Sequence, residues 1–296
     1  NSSAVPAYYC TKMARDLGID KLLAGDGGDE LFGGNTRYAK QKVFGYYETL
    51  PGILRRGLIE PITDSGLLDP IPLLRKGPSY VRQARIPMPE RTETYNLLFR
   101  IGLDNIFTPE FLARFDAQDP DRQMRAVYHG TPSGSLVNRM LAYDWRYTLA
   151  ENDLPKVVGS AELAGVEVAF PLLDDRLLEF SLKLPSSYKV KGLKLRWFFK
   201  EALRGFLPDE IIQKKKHGFG LPFGVWANRH APLNTLATNA LHGLADRGMI
   251  LRPFVDKLMT EHLPAHPGFY GEMVWILSML EFWLQAHRPN FRIAPA

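Results

Sequence analysis

The sequence predicts an α/β fold that is followed by a large, mostly helical extension. Two observations carry this prediction. Within the first 35 residues, a helical pattern leads to a short apolar run that stops at a loop of glycines and acids, which is the order of elements in α/β proteins. After that loop, proline-rich connectors alternate with apolar residues at helical spacing. The 296 residues suffice for one large domain or two small ones.

The first element is a predicted helix. Apolar residues recur at helical spacing from Val5 to Leu17, Pro6 suits a first turn, and Gly18 stands where a helix usually ends. The run Lys21–Ala24 then predicts a short buried strand, which ends at Gly25. Because ligands of α/β sheets bind beyond the carboxyl ends of the strands, the loop from Gly25 to Glu30 is the first place to expect a site.

Later elements are predicted to be helices. A turn over residues 170–175 leads into a predicted helix Arg176–Lys183, and Leu193–Arg204 has the pattern of a basic amphipathic helix. The strongly apolar segment Glu272–Ala286 is too short to span a bilayer and predicts a core helix. We find neither internal repeats nor low-complexity tracts.

Composition excludes several classes of protein. Hydrophobic residues make up 45% and charged residues 23%, which is typical of a globular protein and not of a disordered one. A single cysteine, Cys10, excludes an internal disulfide framework and favours the cytoplasm. No apolar run reaches membrane-spanning length, so we expect no membrane partner. The chain starts at Asn1 without a signal segment, and we expect it to be a piece of a longer protein.

Positive charge is concentrated in one segment. The formal net charge is +5, and the segment Lys189–Lys216 alone carries nine basic and three acidic residues. A local basic patch indicates a local anionic partner. Because aromatic residues hardly alternate with the basic ones, base stacking is poorly supported, and we expect no nucleic acid partner.

The loop Gly25-Asp26-Gly27-Gly28-Asp29-Glu30 is the sharpest local feature. Glycines let backbone N–H groups approach an anion closely, whereas acids would repel a phosphate unless a divalent cation lies between them. Mg²⁺ is usually held by one or two carboxylates together with substrate phosphates. The loop therefore fits a magnesium–nucleotide site, and the alternative is an acidic turn without a ligand. Neither common nucleotide motif, GxxxxGK[ST] or GxGxxG, is present.

A second candidate is the run of lysines from Lys214 to Lys216. Such a run is ordinarily a solvated surface feature. The glycine-rich, apolar sequel from His217 to Phe223 is instead typical of a closing loop, on which a lysine could neutralise the charge that develops on a pyrophosphate.

Further carboxylates and the histidines give weaker signals. Glu151, Asp153, Glu162 and Glu167 have the spacing of helix caps and ion pairs more than that of catalysts. The histidines show no metal-ligand spacing, and Cys10 has no nearby histidine to activate it.

Taken in order, several motifs resemble the synthetase domain of the glutamine-dependent asparagine synthetase family. They are Ser2-Ser3-Ala4-Val5-Pro6-Ala7-Tyr8, the run from Leu23 to Gly34 (LAGDGGDELFGG), Val166-Glu167, Phe170-Pro171-Leu172-Leu173-Asp174, Leu195-Arg196, Lys216-His217-Gly218-Phe219-Gly220 and Trp275 with Glu281-Phe282-Trp283. The GDGGDELFGG run is highly specific, and the others support it. The resemblance covers nearly the whole chain.

The resemblance implies a fold and a reaction. The fold is an ATP pyrophosphatase-type parallel sheet (adenine nucleotide alpha hydrolase-like), of which residues 1–45 are the end and residues 46–296 a mostly helical part that completes the site. The reaction uses ATP and Mg²⁺ to adenylate the side-chain carboxylate of aspartate, and ammonia then displaces AMP to give asparagine. The ammonia comes from glutamine through an N-terminal glutaminase domain.

The same resemblance implies roles for individual residues. Ala24 and Gly25 are similar to the nucleotide-contacting pair, and we add Gly27 and Gly28 as backbone contacts to the nucleotide. Asp26 is similar to the acid proposed to receive a proton from the attacking ammonia, and Asp29 to a metal ligand. Lys216 is similar to the lysine that stabilises the adenylation transition state.

The chain also departs from the family pattern. The pyrophosphate-binding Ser-Gly-Gly-x-Asp-Ser run is absent from this sequence, as is the glutaminase domain, so we expect the isolated span to be inactive. Val158, Gly159 and Ala169 stand where the family usually has Asp, Arg and Arg, and Asn35 replaces a usual tyrosine. These changes keep two alternatives open: a relative that amidates or cyclises another carboxylate, as in β-lactam synthetases or polysaccharide clusters, and a non-catalytic basic binding module. A homodimer also stays open.

Overall fold

A computed structural model describes residues 2–65, 76–94, 96–214 and 220–294, and these residues form a mostly helical α/β structure with a small parallel sheet. The chain divides into two compact units. The helical unit comprises Asn1–Cys10, Tyr95–Pro120 and Gly218–Ala296. The sheet unit comprises Thr11–Thr94 and Asp121–His217. The expected division of the chain was a different one: residues 1–45 as the end of the nucleotide-binding sheet, and residues 46–296 as the part that completes the site. It stays a prediction.

The described residues form the following α-helices, numbered in chain order. The first ten are α1 Ala4–Asp16, α2 Gly28–Phe32, α3 Thr36–Glu48, α4 Gly52–Leu54, α5 Glu60–Asp64, α6 Gly77–Ala84, α7 Leu97–Ile101, α8 Pro109–Leu112, α9 Asp119–Gly130 and α10 Leu136–Asp144. The others are α11 Leu154–Ala164, α12 Asp175–Lys183, α13 Ser186–Lys189, α14 Trp197–Ala202, α15 Asp209–Gln213, α16 Phe223–Arg229, α17 Ala231–Asp246, α18 Arg252–Lys257, α19 Leu263–Ala265 and α20 Pro267–His287.

Tighter and wider helical turns connect several of these helices. The 3₁₀ turns are Glu90–Glu93, Leu103–Asn105 and Pro171–Leu173, and the π-helical stretches are Arg55–Ile59, Trp145–Asp153 and Leu258–His262.

The sheet consists of two parallel strands, β1 Lys21–Leu23 and β2 Glu167–Ala169. Leu22 is opposite Val168 in the register, and the Ala24 N–H continues the ladder by donating to the Ala169 carbonyl at 2.9 Å. The predicted strand is therefore present, whereas β2 was not predicted. The expected burial of β1 is wrong, since Leu23 is 73% exposed. Among the described residues, β2 is the only strand that pairs with β1.

The predicted first helix is confirmed as α1. Gly18 follows it with a φ of +76°, a left-handed conformation that glycine adopts without strain. Within the sheet unit, the end of α1 is tied to α11 by hydrogen bonds. Thr11 Oγ1 donates to the Ser160 carbonyl at 3.2 Å, and Arg15 Nη1 donates to the Ala164 carbonyl at 2.9 Å.

One predicted helix is only partly correct. Of the segment Leu193–Arg204, only Trp197–Ala202 is helical. Gly192 and Arg196 have φ values of +58° and +50°, and Lys191 pairs with Lys194 in a tight turn. The apolar spacing is helical throughout, but residues in the left-handed region interrupt the helical path before Trp197.

Buried charged side chains organise the sheet unit. Asp144 is 1% exposed and accepts hydrogen bonds from Arg37, Tyr38 and Thr148. Arg91 is 2% exposed and donates to Glu48 and to the Ala84 carbonyl. Both groups are paired, as buried charges must be for a fold to tolerate them.

The core of the helical unit lies around α16, α17 and α20. The predicted core helix is confirmed within α20, which is longer than expected because Pro267 fits its first turn. Met273, Val274 and Leu277 are buried in this core, whereas Trp283 on another face is 52% exposed. No helix among the described residues is long and apolar enough to cross a membrane.

Candidate active site

The glycine–acid loop follows the carboxyl end of β1 and lines a cavity of about 430 Å³ within the sheet unit. Ligand pockets commonly have about 300–1,000 Å³, so the size suits a small molecule. The cavity is lined by Gly25, Asp26, Gly27, Gly28, Asp29, Glu30, Asn35, Thr148, Asp153, Leu172, Arg196 and Phe199. The structure thus brings the predicted residues Gly25 to Asp29 together, and Ala24 precedes them in the ladder position beside β2.

Two glycines of the loop are required by packing. Gly27 has a φ of +90°, and a Cβ atom there would lie 2.1 Å from Leu173 Cδ2. A Cβ on Gly28 would lie 2.9 Å from Leu172 Cδ1. The glycine–acid loop and the Phe170–Asp174 motif, which stand far apart in the sequence, therefore meet here, and the Pro171–Leu173 turn packs against the loop. The expected backbone contacts of Gly27 and Gly28 to a nucleotide stay predictions.

Gly25 has a different environment. Its hypothetical Cβ would have no atom within 4 Å, so open space adjoins the backbone at this point. A bound molecule could therefore approach the backbone closely at Gly25.

Asp26 lies in an electrostatically mixed environment. Burial raises the pKa of its carboxyl group, the positive charge of Lys156 lowers it, and the negative charge of Asp153 raises it again. Asp153 lines the cavity and binds Lys156 at 2.7 Å. A carboxyl group with a raised pKa is better suited to accept a proton than one that stays ionised throughout the neutral range.

Asp29 is held near the cavity wall by its neighbours. Its side chain is 18% exposed, and Oδ1 lies 3.4 Å from Arg196 Nη1. A Cβ on Gly34 would lie 1.7 Å from the same Oδ1 atom, so the second glycine pair of the motif leaves room for this carboxylate.

Glu30 belongs to the predicted loop, but sequence reasoning assigned it no role. It lines the cavity although it is only 7% exposed, and its carbonyl accepts a hydrogen bond from Trp145 Nε1 at 2.9 Å. Burial raises the pKa of Glu30 to about 7, and the nearby charges of Asp29, Asp144 and Asp153 add to the rise. The signal in the sequence was the run of acids itself, but which of them is buried depends on the packing around α2.

The other predicted carboxylates form ion pairs. Glu167 binds Lys21 at 3.0 Å, and Glu151 binds Arg146. The expectation that such acids serve ion pairs is confirmed for both. Asp153 also forms an ion pair, but unlike Glu151 and Glu167 it lines the cavity. The sequence pattern did not distinguish it from the other acids.

Asn35 also has a local role. Its side chain accepts a hydrogen bond from the Arg37 N–H at 3.1 Å and so caps the first turn of α3. The residue that replaces the family's usual tyrosine therefore both begins a helix and lines the cavity.

The predicted catalytic lysine and the predicted metal site are not defined by the described residues. Lys216 and His217 lie outside the described residues. Among the described residues, no group of three or more histidine, cysteine, aspartate or glutamate side chains could hold a metal ion. Asp29 as a metal ligand stays a prediction, in which oxygen atoms from elsewhere would complete the coordination.

The cavity carries both signs of charge. Asp26, Asp29 and Asp153 are acids, while Arg196 on the wall and Lys156, which pairs with Asp153, are bases. Such a wall can bind a substrate with several anionic groups, provided that the acids are neutralised by a proton, a lysine or a cation.

The chain belongs to the asparagine synthase family, which it matches over residues 1–285. It is 22% identical over 282 residues to asparagine synthetase (glutamine-hydrolysing) 1 of Bacillus subtilis, covering 95% of this chain and 42% of that protein. A Mycobacterium bovis protein that is provisionally named as an asparagine synthetase (glutamine-hydrolysing) is 24% identical over 283 residues, which are 94% of this chain and 41% of that protein. The chain thus spans about two fifths of the length of these relatives. No solved structure matches it significantly.

Proposed function

We propose that this chain is the synthetase part of an ATP-dependent amide-forming ligase whose product is asparagine. The observation that carries the proposal is the cavity in which the Gly25–Glu30 loop, Asp153 and Arg196 meet at the carboxyl end of β1. The family match supports amidation chemistry in general, and the cavity supplies the charged wall that such chemistry needs.

In the proposed reaction, a side-chain carboxylate oxygen of aspartate attacks the α-phosphorus of ATP, and the bond to pyrophosphate breaks. Ammonia then attacks the activated carbonyl carbon, AMP leaves with the bonding electron pair, and the nitrogen loses a proton. Asp26, whose pKa is raised by burial, is our candidate to accept that proton. Lys216 would stabilise the charge that develops on pyrophosphate, as the family resemblance implies.

The residues of the cavity fit magnesium–ATP in part. Mg²⁺ is commonly held by one or two carboxylates and by substrate phosphates, so Asp29 can serve as one ligand without a complete protein cage. The bound ion would neutralise phosphate charge during the transfer. Gly25, which adjoins open space, and Ala24 are the proposed backbone contacts of the nucleotide.

The whole protein would contain more than this span. We propose that a pyrophosphate-binding loop and a glutaminase domain belong to the same protein, that the glutaminase supplies ammonia from glutamine, and that the sheet has the ATP pyrophosphatase-type fold. The cytoplasm suits such a protein, whose sequence here contains a single cysteine.

A carboxylate other than aspartate is an alternative acceptor, and three substitutions relative to the family pattern support it. Val158, Gly159 and Ala169 replace larger charged residues of the family pattern, and a Cβ on Gly159 would have no atom within 4 Å. Open space thus adjoins Gly159, and these three changes favour an acceptor carboxylate other than aspartate as the specific alternative.

A basic nucleic-acid module is less well supported by the structure. Within the basic segment, Lys189 is 5% exposed, Arg204 pairs with Glu201 at 2.8 Å, and Arg196 faces Asp29. Burial and pairing reduce the positive charge available to a phosphate backbone.

The test uses the full-length protein that contains this span. It is incubated with ATP, Mg²⁺ and ammonia together with aspartate or one of a panel of other carboxylates, and AMP, pyrophosphate and amide are measured. We expect AMP and pyrophosphate to form in equal amounts with asparagine. Turnover with a different carboxylate alone would replace aspartate by that acceptor. ATP cleavage to ADP, or none with any carboxylate, would overturn the proposal.

A further inference from the structure

Arg196 combines two unfavourable features at the cavity wall. Its backbone φ is +50°, which makes it the one described residue other than glycine with a positive φ. Its Nε atom is buried and has no hydrogen-bond partner. An L-residue in the left-handed region is strained, and strain of this kind is common at functional sites.

The backbone holds this strained conformation in place. The Arg196 N–H donates to the Gly33 carbonyl at 3.1 Å, and the Arg196 carbonyl accepts from the Lys200 N–H at 2.9 Å. The first bond joins Arg196 to the end of the glycine–acid motif, and the second begins α14. The side chain is therefore directed at the cavity by two elements at once.

Pairing with Asp29 does not fully satisfy the guanidinium. Arg196 Nη1 lies 3.4 Å from Asp29 Oδ1, whereas charged N–H···O⁻ hydrogen bonds commonly measure about 2.7–2.9 Å. The Arg196 side chain is 28% exposed and lines the cavity. A planar guanidinium with accessible N–H groups is well suited to bind a phosphate or carboxylate group.

We propose that Arg196 binds an anionic oxygen group of a substrate, either a phosphate of ATP or a carboxylate of the acceptor. This assignment rests on the proposed amide-forming function and adds a substrate-binding residue to it. A purely structural role would instead make Arg196 important for folding.

The variants Arg196→Gly and Arg196→Gln distinguish these roles in the full-length protein. Glycine accepts the positive φ without strain, so Arg196→Gly should keep or raise the thermal unfolding temperature. Both variants should weaken binding of one anionic probe by about 10-fold to 100-fold, the typical contribution of a charged hydrogen bond. The matched control is Arg204→Gln, which changes an exposed arginine of the same segment outside the cavity wall.

Equilibrium binding is measured for ATP, inorganic pyrophosphate and aspartate, each without the other substrates, and the KM values for ATP and the acceptor are compared. Weaker ATP and pyrophosphate binding assigns Arg196 to a phosphate, and weaker aspartate binding or a raised acceptor KM assigns it to a carboxylate. Unchanged binding of all three probes, or loss of stability in Arg196→Gly, overturns the proposal. If the protein makes no amide but its pyrophosphate binding depends on Arg196, the assignment of Arg196 stands and the proposed function is overturned.

Discussion

At the scale of single residues, the environment decides how each charged group behaves. The Asp174 side chain is 41% exposed and pairs with Arg176 at 2.9 Å, and the hydrogen bonds from Arg176 lower the pKa of its carboxyl group. Glu30 is buried beside other acids, and its pKa is raised to about 7. Both are acids within recognised motifs, yet the first caps a helix and the second lines the cavity.

Lys216 should be the catalytic lysine of its run. In the full-length protein, Lys216→Ala should lower kcat by on the order of 100-fold or more, because a preorganised charge contact in the transition state has this effect. It should lower kcat more than it raises the KM for ATP. Lys214→Ala is the control, since Lys214 is exposed at the end of α15, and its rate should change far less. Equal modest effects from both variants would mean a diffuse basic patch.

Lys189 should make stability depend on pH. It is 5% exposed, and burial lowers its pKa from 10.5 to about 8. Below pH 8 the folded and unfolded states both carry the proton, so the cost of burying the charge is fully present. Between about pH 8 and 10.5 the folded state has lost the proton while the unfolded state keeps it, so stability rises with pH.

Lys189→Met should therefore raise the free energy of unfolding at pH 7 by up to about 3 kcal/mol. The gain should shrink towards zero as the pH approaches 10.5. Urea denaturation of both proteins from pH 7 to 10.5 measures the difference, with the exposed Lys214→Met as the control. A gain that does not change with pH would show that packing, not charge, is responsible.

At the scale of elements, packing between loop and turn fixes the cavity wall. Gly27→Ala should destabilise the fold by about 2–4 kcal/mol. The left-handed backbone contributes about 1–2 kcal/mol, and displacing the Leu173 side chain contributes a similar amount. Gly25→Ala should change stability by about 0.5 kcal/mol or less, because no atom lies within 4 Å of its new methyl group. Thermal and urea unfolding measure both, and similar losses in the two variants would contradict this account of the loop.

The buried ion pair between Arg247, which follows α17, and Glu281 of α20 should dominate the stability of the helical unit. Arg247 Nε donates to Glu281 Oε2 at 2.7 Å, both side chains are almost fully buried, and Arg247 Nη1 also donates to the Phe291 carbonyl at 2.9 Å. Arg247→Met leaves the buried Glu281 carboxylate without a cationic partner, with Gln285 Nε2 still donating to it at 3.0 Å, and should cost about 3–5 kcal/mol. The exposed Arg252–Asp246 pair is the matched control, and Arg252→Met should cost about 1 kcal/mol or less. A cost for Arg247→Met within the control's range would show that the pair contributes little.

At the scale of the whole molecule, we expect the proposed activity to need more than these 296 residues. The sequence holds no Ser-Gly-Gly-x-Asp-Ser run, which in the family resemblance supplies the pyrophosphate-binding loop. We therefore expect the isolated span to form no AMP or pyrophosphate from ATP, aspartate, ammonia and Mg²⁺. The control is the full-length protein under the same conditions. Robust turnover by the span alone would show that its site is complete.

The sequence by itself determined the local features. The first helix, the strand before Gly25 and the helix within Pro267–His287 follow from spacing, glycine and apolar runs over a few residues. The family was also recognisable from the sequence, because several short motifs occur along the chain in the family's order. Local pattern failed at Leu193–Arg204, where Arg196 takes a conformation that its residue type disfavours.

Only the tertiary structure decided which residues share the cavity. Glu30, Asp153 and Arg196 lie far apart in the chain, and no spacing rule relates them. Parallel pairing of β1 with β2 places the Pro171–Leu173 turn against Gly27, and packing around α2 buries Glu30 but leaves Gly25 beside open space. Burial and the distances between charges set pKa values and pairing, and both depend on neighbours that are contributed by distant parts of the chain.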